Sequence, residues 1–176
     1  MKNFDGKILF LDREDINTDE IIPAKYLTAS TKESLKLHLL EDLKLDKFDY
    51  KKDVNDKNVI ITRSNFGCGS SREHAVWAFE ENNINVIIAT NFARIFKKNM
   101  CNCGLLAIEL PANVIDNLFD KYSNSEAVAK IDLTNKKIKI IVDDNIVLEI
   151  SFDLPKFDEE LIKTGGWIDF AENRYT

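Results

Sequence analysis

An alternation of apolar, β-branched runs with amphipathic runs fills the middle of the chain and restricts its fold more than any other feature. Residues 59–62 and 84–89 are bounded by polar residues and predict buried strands. Residues 72–82 carry apolar side chains at helical spacing, and Asn91 is placed to cap a second helix. Residues 105–110 predict a third strand. This alternation predicts an α/β fold whose parallel strands are joined by right-handed crossovers.

The C-terminal part changes character and predicts an antiparallel addition to the sheet. Residues 112–122 have the spacing of an amphipathic helix. Residues 137–142 and 146–150 are apolar runs around a polar turn, which predicts a β-hairpin. Residues 155–163 predict a final helix, stopped by the glycine pair that follows.

The chain length suits one compact unit. The 176 residues can bury a core without disulfides or metals as staples. Residues 6–11 predict a first strand, whereas the leucines between positions 35 and 45 fit a helix or irregular structure equally, so the conformation of residues 28–58 stays open. We therefore expect residues 1–176 to form a single α/β domain, with a mostly parallel central sheet and an antiparallel hairpin.

Composition excludes several classes of protein. The 24 Lys and Arg against 30 Asp and Glu give a net charge of −6, and 44% of residues are hydrophobic, which excludes a disordered chain and argues against nucleic-acid binding. The apolar run at residues 8–11 is too short for a secretory signal, and no run approaches the ~18 residues of a membrane helix. Three cysteines, an odd number, do not suggest a secreted disulfide framework. These features predict a cytoplasmic protein without a membrane or nucleic-acid partner.

A loop between the strand at 59–62 and the helix at 72–82 carries the residues best suited to chemistry. Its sequence is Asn65-Phe66-Gly67-Cys68-Gly69-Ser70-Ser71-Arg72-Glu73-His74-Ala75. Ligands of open α/β sheets bind at the carboxyl ends of strands, and a helix start offers unpaired N–H donors to an anion. Arg72 is placed to clamp a carboxylate, and the same donors would stabilise a serine alkoxide. The alternative is a plain loop in which Ser71 caps the helix.

A second polar cluster lies near the N-terminus. It reads Asn17-Thr18-Asp19-Glu20-Ile21-Ile22-Pro23-Ala24. Asp19 precedes an apolar segment and is placed to orient a partner side chain or a substrate hydroxyl. An ordinary capped turn leading into the core explains the same residues.

Together, these segments resemble the small subunit of the isopropylmalate isomerase family, which is the swivelling β/β/α domain of the aconitase superfamily. The match extends over residues 17–27 and 65–75, and a third part is Phe92-Ala93-Arg94-Ile95-Phe96-Lys97-Lys98-Asn99. The Gly-Ser-Ser-Arg-Glu-His string at 69–74 is the most specific of these motifs.

The resemblance implies a hydro-lyase that isomerises 2-isopropylmalate to 3-isopropylmalate by dehydration and rehydration, a step of leucine biosynthesis. It implies that a [4Fe-4S] cluster sits on a separate large subunit, and that this chain binds none and is inactive alone. By the same resemblance, Ser70 is the catalytic base, Ser71 and Arg72 bind a substrate carboxylate, and Asp19 lies at the edge of the active site. Thr28 stands at the position where the family selects its substrate.

Several alternatives remain open at this stage. Thr28 is not an arginine, which disfavours tricarboxylic substrates, but it is not plainly apolar either, so homoaconitate, dimethylmalate and citramalate-type acids remain alternatives. A non-catalytic anion-binding module would use the same helix start. Cys68, Cys101 and Cys103 match no standard cluster spacing, so we expect free thiols rather than a redox or metal site.

Overall fold

The computed structural model describes residues 1–175 and has one seven-stranded mixed sheet at its centre. The strands are β1 (Gly6–Leu11), β2 (Lys57–Thr62), β3 (Val86–Ala89), β4 (Leu106–Glu109), β5 (Val128–Asp132), β6 (Lys137–Val142) and β7 (Asn145–Ser151). Their order is β4-β3-β2-β1-β5-β6-β7. The first four are parallel, whereas β5, β6 and β7 pair antiparallel with their neighbours. The predicted α/β class with a mostly parallel centre is therefore confirmed.

Seven α-helices are present in the described residues. They are α1 (Thr18–Ile21), α2 (Tyr50–Asp53), α3 (Glu73–Glu81), α4 (Arg94–Asn102), α5 (Ala112–Tyr122), α6 (Lys156–Thr164) and α7 (Trp167–Tyr175). None of the helices within residues 1–175 is long and apolar enough to cross a membrane.

The parallel strands are buried on both faces, which is why their sequences read as continuous apolar runs. In β2, Ile60 points into the core formed with α3 and α4, whereas Val59 and Ile61 point into the core formed with α5, α6 and the antiparallel strands. All three side chains are fully buried. The two layers of helices thereby hold the parallel strands in place, and the strands in turn fix the positions at which the loops at their ends begin.

The antiparallel part is larger than the predicted hairpin. β5 was missed because only Ala129 of its five residues is buried, and its Ala and Lys residues have low strand propensity. It joins β1 to β6 through backbone pairing, with Gly6 opposite Ala129. Helix α6 ends at Gly165, whose φ is +102°, as predicted. Helix α7 follows this glycine and was not predicted.

Residues 24–56 contain short turns of 3₁₀ helix at Ala24–Tyr26 and Glu33–His38, together with α2. Leu35, Leu39 and Leu40 are buried against the core beside α3. Leu40 has a φ of +60°, which no α-helix accommodates, so the leucine-rich segment is a short 3₁₀ stretch followed by irregular structure.

Candidate functional site

The candidate site lies where three loops meet at the carboxyl ends of β1, β2 and β3. These loops comprise residues 12–17, 63–72 and 90–93. Since parallel strands end at one edge of the sheet, the loops that follow them are neighbours despite their distance in sequence. The two motifs of the sequence analysis therefore come together at this edge.

Hydrogen bonds extend the pairing of β1 and β2 into the loops beyond them. The Gly67 N–H donates to the Ile16 carbonyl at 2.8 Å, and the Thr18 N–H donates to the Cys68 carbonyl at 2.9 Å. The Thr18 hydroxyl, which is buried, donates to the Ser70 carbonyl at 2.8 Å. The backbone that carries Ser70 is thus fixed from the neighbouring loop.

The loop after β3 holds the other side of the same segment. Phe66 pairs with Phe92 in a parallel bridge, and the Ala93 N–H donates to the Phe66 carbonyl at 2.9 Å. The predicted capping role of Asn91 is wrong. Its side-chain oxygen accepts from the Asn65 N–H at 2.6 Å, and the N-cap of α4 is Ala93, without a side-chain cap. Asn91 therefore fixes the loop between β2 and α3 rather than the helix.

Two glycines allow this close packing for different reasons. Gly67 has a φ of +79°, and a Cβ there would lie 2.2 Å from the Phe96 ring. Gly69 has a φ of +92°, but the nearest atom to a Cβ would be the Thr18 hydroxyl oxygen at 3.6 Å. Gly67 is required by both backbone and space, whereas Gly69 is required by backbone conformation alone.

Arg72 and Asp19 form an ion pair across 53 positions of sequence. The Arg72 side chain is 15% exposed and the Asp19 side chain 62% exposed, so the pair sits at the rim of the site. Arg72 is also the N-cap of α3 and makes no side-chain cap bond, so Ser71 does not cap the helix as the plain-loop alternative required. The Ala75 N–H donates to the Arg72 carbonyl at 3.3 Å, so the N–H groups of Glu73 and His74 are those left for an anion at this helix start.

A second ion pair supports helix α1, which carries Asp19. The Arg13 guanidinium donates to both carboxylate oxygens of Glu20, at 2.6 Å from Nη2 to Oε1. Asn17 caps α1 by accepting from the Glu20 N–H at 3.0 Å, and its amide donates to Glu20 Oε1 at 2.8 Å. Burial acts to raise the pKa of Glu20, but the hydrogen bond and charge of Arg13 outweigh it and hold that pKa below its ordinary value.

An open cavity of about 540 Å³ lies between the loop that precedes α3 and the start of α4. One wall is loop 67–72, and the other is the first turn and a half of α4. The lining residues are Thr18, Gly67, Gly69, Ser71, Arg72, Ala93, Arg94, Ile95, Phe96 and Lys98. Ser70, which lies between the lining residues Gly69 and Ser71, has an exposed side chain. Asp19 is linked to the lining by its contact with Arg72. Thr28 is exposed and lies outside the lining.

The three cysteines are free thiols in different surroundings. Cys68 is half-buried in the site loop, Cys101 lies in the core, and the Cys103 sulfur is 3.8 Å from a carboxylate oxygen of Glu73. Burial raises the pKa of both Cys101 and Cys103 to about 12, which disfavours the thiolate form that metals bind. Within residues 1–175, no group of three or more His, Cys, Asp or Glu side chains is placed to hold a metal.

Comparison with known proteins places this arrangement in a family. Residues 1–113 match the family described as the aconitase C-terminal domain. The 3-isopropylmalate dehydratase small subunit 2 of Deinococcus radiodurans is 38% identical over 161 residues, which cover 91% of this chain and 72% of the relative. The chain belongs to the aconitase C-terminal domain family, among the 3-isopropylmalate dehydratase small subunits.

Two further relatives agree over nearly the whole chain. The 3-isopropylmalate dehydratase small subunit of Sulfurimonas denitrificans is 36% identical over 171 residues, covering 97% of this chain and 95% of the relative. A crystal structure of 3-isopropylmalate dehydratase from Methanocaldococcus jannaschii superposes with a TM-score of 0.77 and 30% identity, covering 97% of this chain and 94% of that one. The predicted resemblance to the isopropylmalate isomerase small subunits is confirmed.

Sequence reasoning overlooked three residues that line the cavity of this family member. Arg94, Ile95 and Lys98 belong to a segment that carried the resemblance, but none of them was predicted to be a site residue. Arg94 and Lys98 are four residues apart in α4, which places both on one face of the helix. That spacing was visible in the sequence, but only the packing of α4 against loop 67–72 shows that this face is directed at the cavity.

Proposed function

We propose that this chain is the small subunit of a hydro-lyase that interconverts 2-isopropylmalate and 3-isopropylmalate by dehydration and rehydration, a step of leucine biosynthesis in the cytoplasm. The observation that carries the proposal is the cavity itself. Loop 67–72, the Arg72–Asp19 pair and an uncapped helix start meet at the carboxyl edge of the sheet, in a member of the 3-isopropylmalate dehydratase small subunits.

Ser70 is the proposed base that takes the carbon-bound proton. Its hydroxyl needs surroundings that favour the alkoxide, and both the start of α3 and the guanidinium of Arg72 follow it directly in the chain. The bond from the Thr18 hydroxyl to the Ser70 carbonyl holds the backbone that aims this side chain. A base fixed in this way loses little entropy when the substrate binds.

Ser71 and Arg72 are the proposed binding residues for one substrate carboxylate. Arg72 offers a planar fork of donors that suits a carboxylate, and its ion pair with Asp19 restricts where the fork points. Asp19 is accordingly the proposed residue that orients this clamp at the edge of the site. The proposed role of Thr28 in substrate choice rests on its place two residues after Tyr26, outside the cavity lining.

The partner of this chain is a proposed large subunit that carries a [4Fe-4S] cluster. When bound there, the cluster supplies a Lewis acid for the departing hydroxyl. This chain supplies the base and the carboxylate clamp, and we propose that residues 1–176 move against the partner as a single swivelling domain.

Turnover by the mixed subunits tests the proposal. The chain is combined with the cluster-bearing large subunit of the same organism and assayed with 2-isopropylmalate, homoaconitate, dimethylmalate and citramalate. We expect turnover of 2-isopropylmalate only in the complex. Ser70→Ala should lower kcat by about 10²- to 10⁴-fold, the range for losing a general base, while the complex still assembles.

Ser151→Ala, at the exposed end of β7, is the matched control and should retain wild-type kcat. Turnover confined to another of the four acids would move the proposal to that substrate, and turnover of none would overturn the hydro-lyase. Near-normal kcat in Ser70→Ala would remove Ser70 as the base.

A further inference from the structure

The cavity carries more positive charge than the proposed clamp requires. Within the described residues, its lining holds three cations, Arg72, Arg94 and Lys98, and no carboxylate. Asp19 neutralises Arg72 from the rim. No carboxylate of this lining compensates the two positive charges on the α4 wall, Arg94 and Lys98, which also border a neighbouring cavity lined by Asp158.

Among the described residues, neither of these two charges has an ion-pair partner. In residues 1–175, the side chains of Arg94 and Lys98 take part in no ion pair or hydrogen bond, whereas Lys97 between them pairs with Glu109, at 3.2 Å from Nζ to Oε1. A pair of free cations on one helix face, directed into a cavity, is suited to an anionic ligand.

The α4 wall is held rigidly relative to the clamp. The Ala93 N–H bonds to the Phe66 carbonyl, and the Phe66 and Phe96 rings pack edge to face with centroids 5.5 Å apart. Gly67 lies directly against Phe96. Because these contacts join the start of α4 to the loop that carries Arg72, core packing fixes the backbone from which the two positive regions extend.

We propose that Arg94, assisted by Lys98 one turn further along α4, binds the second carboxylate of a dianionic 2-hydroxy dicarboxylate across the cavity from Arg72. The inference rests on the proposed function and names a substrate-binding subsite within it. The uncapped start of α4 adds its N–H donors to the same wall. Holding both carboxylates restricts how each isomer lies in the cavity, so that its carbon-bound hydrogen faces Ser70.

Kinetics of the assembled complex test the subsite. Losing a charge-assisted hydrogen bond should raise the KM for 2-isopropylmalate by about 10- to 100-fold in Arg94→Ala. Arg94→Lys should recover part of that loss, since lysine keeps the charge but not the fork of donors. Lys97→Ala removes the same charge from the same helix outside this cavity, and its KM should stay within about twofold of wild type.

Inhibitors separate carboxylate binding from a merely structural role. Arg94→Ala should weaken inhibition by malate, a dicarboxylate, by about 10-fold or more and leave inhibition by 2-hydroxy-3-methylbutanoate, a monocarboxylate, unchanged. Equal weakening of both inhibitors, or a wild-type KM in Arg94→Ala and in the double variant with Lys98→Ala, would overturn the subsite. Those results are read only against an active wild-type complex; an inactive wild type instead counts against the proposed function. Sedimentation of each complex confirms that assembly is intact.

Discussion

Thr18 offers a sharp test of how this site is positioned, because one hydroxyl links the core to the proposed base. Its side chain is 1% exposed, and its hydroxyl donates to the Ser70 carbonyl at 2.8 Å. Thr18→Val keeps the shape of the side chain and removes that bond. The net loss should be about 1 kcal/mol of stability, which lowers the Tm of a domain this size by about 2–4 °C. The freed Ser70 backbone should lower kcat by about 10- to 100-fold, since a displacement of roughly 1 Å at a reacting group costs up to about 10²-fold.

Thr18→Ser is the matched control because it keeps the hydroxyl and deletes one buried methyl group. That deletion also costs about 1 kcal/mol, so the two variants should unfold at similar temperatures. Only Thr18→Val should lose kcat, whereas Thr18→Ser should stay within about threefold of wild type. Thermal unfolding of the isolated chain and turnover by the assembled complex supply the two measurements.

Two results would refute this reasoning. If both variants lost kcat equally, the effect would follow stability rather than the hydroxyl. If Thr18→Val lost stability but kept wild-type kcat, the bond to Ser70 would hold the fold and play no part in aiming the base.

The remaining predictions concern stability. Gly67→Ala must displace the Phe96 ring as well as adopt a positive φ, so it should cost about 2–4 kcal/mol in urea unfolding. Gly69→Ala should cost only about 1 kcal/mol, since a Cβ there would make ordinary van der Waals contacts with Thr18 and Asn17. Equal losses would contradict the packing argument. Glu20 has a lowered pKa in the folded chain, so its pairing with Arg13 stabilises the fold above the unfolded-state pKa and is lost as the pH falls through the folded-state pKa. Glu20→Gln should therefore show a flatter loss of unfolding free energy between about pH 5 and pH 3, and a curve parallel to that of wild type would contradict it.

The sequence predicted the elements whose side chains repeat with a clear period. Helix α5 was predicted at its observed bounds, Ala112–Tyr122, because Ile115, Leu118 and Phe119 follow one face. β2 and β3 were predicted because burial on both faces leaves an unbroken apolar run. Where burial is partial, as in β5, the pattern is too weak to separate a strand from a turn.

The residues of the loop motif also came from the sequence, since glycines, a serine pair and an arginine before a helix are a local pattern. Their partners did not. Asn91 satisfies local rules for a helix cap but bonds to Asn65 instead, because a polar side chain takes whichever donor the folded chain brings nearest.

The sequence by itself therefore determined the α/β fold, the family and the loop that carries the proposed base. Only the tertiary structure paired Asp19 with Arg72 and directed Arg94 and Lys98 into the same cavity. The physical reason is that local periodicity fixes which face of an element is apolar, whereas the ends of distant strands meet only after the sheet has formed. The charged side chains of this site become neighbours only at that point, so no local sequence pattern shows which of them will lie together.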